Sequence, residues 1–135
     1  MIEFSADTVR VTLHLLGVAV WVGGQIVMAA LLRVLRTFGT DAPRLSARAF
    51  ATVAWPAYVV LVFTGMWGML VMDTSQTTTG YQAVLGIKLI LVALSGAAAF
   101  IHSTSDAKVV KAATGGGGLV ASLGAVICGV LLVNG

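Results

Sequence analysis

Val11-Thr12-Leu13-His14-Leu15-Leu16-Gly17-Val18-Ala19-Val20-Trp21-Val22-Gly23-Gly24-Gln25-Ile26-Val27-Met28-Ala29-Ala30 continues to Leu35, and only His14, Gln25 and Arg33 interrupt its apolar character. A helix needs about 20 predominantly apolar residues to cross the hydrocarbon core of a bilayer. The stretch is therefore read as a transmembrane helix. Two further runs meet the same test. Ala49 to Met72 carries no charge, and Tyr81 to Ile101 carries only Lys88. A fourth run, Leu119 to Val133, is shorter and follows Gly115-Gly116-Gly117-Gly118, which is expected to act as a breaker or hinge and to lend part of its length to the crossing. The expected architecture is all-α: one membrane domain over residues 1–135, a four-helix bundle with spans at about 8–37, 45–73, 81–103 and 117–134.

Composition agrees. Of the 135 residues, 59% are hydrophobic and 10% charged, where a soluble domain carries about a quarter charged residues. The net charge of +3 comes from few ionisable groups, so it is no footprint for nucleic acid. The partner it implies is the lipid bilayer, with room for a homo-oligomer or a larger membrane complex around so glycine-rich a chain. Cys128 stands alone and forms no internal disulfide. Met1-Ile2-Glu3-Phe4 lacks the basic start of a cleavable signal.

The basic residues give an orientation. Arg33, Arg36, Arg44 and Arg48 lie between spans one and two, and Lys108 and Lys111 lie between spans three and four. Asp73-Thr74-Ser75-Gln76-Thr77-Thr78-Thr79-Gly80, between spans two and three, has neither Lys nor Arg. The excess of Lys and Arg on cytoplasmic loops then puts both termini outside, in a bacterial inner membrane with the basic loops in the cytoplasm.

Inside this apolar frame, the ionisable and sulfur-bearing side chains need a reason to be there. His14 lies two turns below Asp7, Lys88 two turns below Tyr81, Met66 two turns below Asp73, and Cys128 nearly two turns below Asn134. At 1.5 Å per residue, all four are expected about 10 Å below the outer boundary. Helical periodicity puts Arg10, His14, Gly17, Trp21, Gln25 and Met28 on one side of span one. It gives span two an inward stripe of Trp55, Val59, Val62, Met66, Met69 and Asp73, and span three one of Tyr81, Lys88, Ser95, Ala99 and His102. Ala121, Gly124 and Cys128 form a small-residue stripe on span four. His102 lies near the cytoplasmic end, about 20 Å from the level of Lys88, and reads as an interfacial residue.

Two chemistries suit such a layer. Imidazole, thioether and thiol select copper(I), with His14, Met66, Met69 and Cys128 as the candidate metal ligands. His14 can instead hold haem b iron axially, while Arg10 or Lys88 meets the propionates and Trp21 lines the site. The plain alternative is that His14 hydrogen-bonds across the helices, Lys88 snorkels to the interface, and the methionines and Cys128 simply pack. The glycine run lacks the Lys-Ser/Thr of a phosphate-binding loop.

The run Leu13-His14-Leu15-Leu16-Gly17-Val18-Ala19-Val20-Trp21-Val22-Gly23-Gly24, with Lys88-Leu89-Ile90-Leu91-Val92-Ala93-Leu94 later, resembles the copper resistance protein D family. That family's first helix reads Leu-His, six residues, Trp, one residue, Gly-Gly. The resemblance covers the first three helices. It implies an inner-membrane role in copper handling, with His14, Trp21 and Lys88 as the characteristic positions. A more distant resemblance is to the protoporphyrinogen oxidase family of four-helix haem-binding proteins, which also pairs a first-helix His with a later Lys and would make the chain an enzyme. A third expectation is a non-catalytic subunit of a larger membrane complex.

Overall fold

A computed structural model describes residues 2–135. Among them the structure is all-α, with four helices long and apolar enough to cross a membrane: α1 (Ala6–Phe38), α2 (Asp41–Val71), α3 (Thr79–Thr104) and α4 (Lys108–Asn134). The chain divides into two compact units, one ending at Met72 and the other Asp73–Gly135. Each is an antiparallel helical hairpin.

In the first hairpin, α1 starts on a reciprocal cap. The Ser5 hydroxyl accepts from the Thr8 amide at 3.2 Å, and the Ser5 amide donates back to Thr8 Oγ1 at 3.4 Å. Asp7 in the first turn suits the positive end of the helix dipole. The helix is not uniform. It widens into a π-helical turn at Ala19–Gly23 before resuming over Gly24–Leu35 and tightening to a 3-10 turn at Arg36–Phe38. Gly39, at φ +108°, makes the reversal into α2, a backbone conformation glycine adopts without a Cβ penalty. α2 continues helically through Pro56, as membrane helices do when neighbouring groups satisfy the freed carbonyl.

Glycine sets the spacing of this pair. A Cβ on Gly17 would lie 3.1 Å from the Ala57 carbonyl oxygen and 3.2 Å from the Leu61 Cβ. The packed side of α2 is therefore Ala54, Leu61 and Thr64, all buried. Of the expected inward stripe on that helix, Trp55 packs on Trp21 and Val62 and Met69 are half-buried, while Val59 is 63% exposed and Met66 55% exposed. In lipid both faces of a helix are apolar, so apolar periodicity does not mark the packed face; small residues do.

The second hairpin turns on Ser105, Asp106 and Ala107, where the Ser105 hydroxyl accepts the Ala107 amide at 3.3 Å. α4 begins at Lys108 and runs unbroken through Gly115–Gly118. The expected hinge is thus a helix, and the fourth span starts earlier than the anticipated residue 117. Where no water competes for backbone groups, the helix is the only way to satisfy them, glycine or not. The glycines also admit α3: a Cβ on Gly118 would lie 3.2 Å from the Ala98 Cβ, and one on Gly124 would lie 3.0 Å from Leu91 Cδ1. At mid-span the Ser95 and Ser122 hydroxyls, both buried, join at 2.8 Å.

Candidate functional site

His14 is half-buried on α1, on the side that faces α2. Its Nδ1 lies 2.9 Å from the hydroxyl oxygen of Thr64, a residue with no exposed surface. That hydroxyl also lies 2.8 Å from the Val60 carbonyl oxygen and 3.1 Å from that of Leu61. A hydroxyl has one proton and a carbonyl only accepts. The Thr64 proton is therefore shared with the backbone carbonyls, and the direction of its bond to His14 Nδ1 follows the tautomer of the ring. Gly65, beside Thr64, keeps the wall near the ring low, since even a Cβ there would be 3.8 Å from Cε1.

One turn toward the N-terminus, Arg10 is aligned by its own helix and by α2. Its Nε and Nη2 both donate to Asp7 Oδ1, at 3.1 and 2.5 Å. Its Nη1 lies over Gly68, where a Cβ would come within 2.7 Å. Two turns deeper than His14, Trp21, Trp55 and Tyr58 form an aromatic cluster with ring centroids 4.5–5.8 Å apart. Trp21 sits in the π turn, and its carbonyl accepts the Gln25 side-chain amide at 2.9 Å. Turns of this kind recur at functional positions in helices. Nothing in the apolar spacing announces the widened turn; the adjacent Gly23-Gly24 and the glutamine bonding back into the helix are its only sequence traces.

The first hairpin thus assembles His14, Thr64, Arg10 and Asp7, with Trp21 below them. It does not gather the soft donors. Met66 lies on the far side of α2 from Thr64, and Met69 is half-buried. Among the described residues, no three His, Cys, Asp or Glu side chains converge as a metal cluster.

In the second hairpin, Lys88 reaches α4. A Cβ on Gly129 would lie 3.4 Å from Nζ, which puts the amine beside buried Cys128. His102 is exposed, with Nδ1 2.8 Å from the Lys111 carbonyl oxygen and its ring over Gly115. It lies near the C-terminal end of α3, and the bond closes the end of the hairpin. Comparison with protein-family models, curated proteins and solved structures gave no match. The chemistry of the chain rests on its own residues.

Sequence reasoning named His14, Arg10, Lys88, Cys128 and Ser95 but passed over Thr64 and Ser122, the partner of Ser95. The available signal was a hydroxyl next to glycine within an apolar run, as in Thr64-Gly65 and Ser95-Gly96. Such a pair marks where helices approach closely enough for a short polar side chain to reach across.

Proposed function

We propose that the chain is a multi-pass protein of a bacterial inner membrane that binds haem b through His14, in membrane redox chemistry. The basic helix ends face the cytoplasm and both termini lie outside. The observation that supports this reading is the half-buried imidazole of His14 within an apolar span, with Nδ1 2.9 Å from the Thr64 hydroxyl.

Haem is favoured over copper by the donors around that ring. A copper(I) site needs two or three soft ligands, whereas the hairpin offers one imidazole and, a turn outward, one guanidinium. That pair suits an iron porphyrin, with the imidazole for the metal and Arg10 for a propionate. When bound, the haem would supply one-electron chemistry. The protein's part is to present the imidazole in one orientation, to counter the propionate charge and to keep water from the ring through the apolar walls of α1 and α2.

The test is the visible spectrum and metal content of the detergent-purified protein. A Soret band that is lost in His14→Ala, with helical circular dichroism retained, is expected. Stoichiometric copper without haem would replace the haem reading with the copper one. A colourless, metal-free protein that also fails to take up added haem would end both.

A further inference from the structure

We propose that the turn joining α1 to α2 binds a phospholipid carrying two phosphates in one headgroup, of the cardiolipin class. The apolar run of α1 stops at Leu32, and the charge-free run of α2 starts at Ala49. Arg33, Arg36, Arg44 and Arg48 fill the interval, with only Asp41 against them. They therefore lie where hydrocarbon gives way to headgroups. All four arginines are exposed. Arg44 approaches Asp41 only to 4.0 Å, with both side chains largely in the open, and such a contact is worth little. The ion pairs among the described residues, Arg10–Asp7 and Arg44–Asp41, leave Arg33, Arg36 and Arg48 out.

Spacing divides the four into two pairs. Arg33 and Arg36 are three apart at the end of α1, and Arg44 and Arg48 are four apart at the start of α2. Residues so spaced are neighbours on one side of a helix. Gly39, at φ +108°, reverses the chain between the pairs and brings both to the same end of the hairpin. A guanidinium fork matches the oxygens of a phosphate. Two pairs on one hairpin end suit two linked phosphates, because the second phosphate of one molecule binds at the high effective concentration set by its tether. Apolar surface adjoins the charges. Leu31, Val34 and Leu45 are exposed beside Arg33 and Arg44, and Phe38 is exposed at the turn itself. An acidic protein or a soluble polyanion would use the arginines and leave that surface bare. A lipid uses both, its phosphates on the guanidinia and its acyl chains along α1 and α2. The site is independent of whatever ligand His14 takes.

Native mass spectrometry of the detergent-purified protein, with cardiolipin, phosphatidylglycerol or phosphatidylcholine added at equal phosphate, reads the site. Expected is retention of cardiolipin over phosphatidylglycerol, and of phosphatidylglycerol over phosphatidylcholine. Each of Arg33→Gln, Arg36→Gln, Arg44→Gln and Arg48→Gln should weaken cardiolipin binding about fivefold. Lys108→Gln with Lys111→Gln, at the turn of the other hairpin, should leave it unchanged. Equal retention of cardiolipin and phosphatidylglycerol would overturn the proposal, as would arginine variants that bind like wild type. Displacement of the lipid by inorganic pyrophosphate at the same phosphate concentration would make the turn a general anion site and overturn it too. The wild-type order and the pyrophosphate competition decide if the variants fail to fold.

Discussion

Gly115 to Gly118 offers four substitutions to alanine within one helical turn, and the geometry separates them. In each the intrinsic gain in helix propensity is the same, about 1 kcal/mol or less, and it cancels when the variants are compared with one another. What differs is the neighbour. A Cβ on Gly116 or Gly117 meets nothing within 4 Å. A Cβ on Gly118 would lie 3.2 Å from the Ala98 Cβ, against about 3.5–4.0 Å for carbon atoms in contact. Ala98 has no torsion by which to move its methyl aside, so α3 and α4 must separate by several tenths of an ångström. Overpacking of this kind costs about 1–3 kcal/mol. At Gly115 the obstacle is the His102 ring, 3.1 Å away at Cε1. The ring can turn, but only by giving up its bond to the Lys111 carbonyl, worth about 1 kcal/mol.

The expected order of stability is therefore Gly116→Ala and Gly117→Ala at or above wild type, Gly115→Ala lower, and Gly118→Ala lowest. The gap between the Gly116 and Gly118 variants should be about 1–3 kcal/mol. Reversible unfolding in mixed detergent micelles, followed by circular dichroism, measures it. Four equal values, or a Gly118→Ala protein as stable as Gly116→Ala, would refute the claim that these glycines are a packing surface. A general loss at all four would point back to a hinge.

The double-mutant cycle of Ser95→Ala and Ser122→Ala should return a coupling near 0.6 kcal/mol and no more than about 1.7 kcal/mol, the range for interhelical bonds in a membrane, with unfolding in micelles as the readout. Met66→Leu should leave any haem spectrum and metal content unchanged, because that side chain is turned away from His14; loss of ligand would refute the placement. The Asp73 carboxylate is held below the ordinary aspartate range by the Ser75 hydroxyl and then the Ser75 amide, both of which bond its charged form. With the folded value depressed, the contribution of the turn is present above the ordinary aspartate pKa and is lost as pH falls through the lowered value. A carbon-13 titration should show Asp73 returning toward the ordinary value in Ser75→Ala.

The spans were legible because membrane insertion depends on length and apolarity, which a single sequence displays directly. Orientation within a span was legible only on some helices. On α1 and α3 the polar residues Arg10, His14, Gln25, Lys88 and Ser95 identified the packed side correctly, since a polar group in lipid has to face protein. On α2, uncharged throughout most of its length, the large residues Val59 and Met66 were taken for the inward side although they are exposed. The informative residues there are the small ones, Ala54, Ala57, Thr64 and Gly68. They register as weakly hydrophobic but permit the approach that α1 makes at Gly17. The glycine run of α4 misleads for the same reason. A rule learned from water counts glycine as a breaker, while within the hairpin it is the surface on which Ala98 and His102 sit.

At His14 the fastening and ligating readings need not compete, because the ring has two nitrogens and each reading claims a different one. The bond to Thr64 uses Nδ1 and ties α1 to α2. A fastener alone requires only that this bond form, and any tautomer that forms it would serve. Asn in place of His14 tests the difference: its amide N–H can still donate toward Thr64, but it has no aromatic nitrogen to offer a metal. His14→Asn is expected to retain most of the hairpin stability in micelles while losing any haem spectrum the wild-type protein shows. Equal loss of both would make His14 a fastener and nothing more.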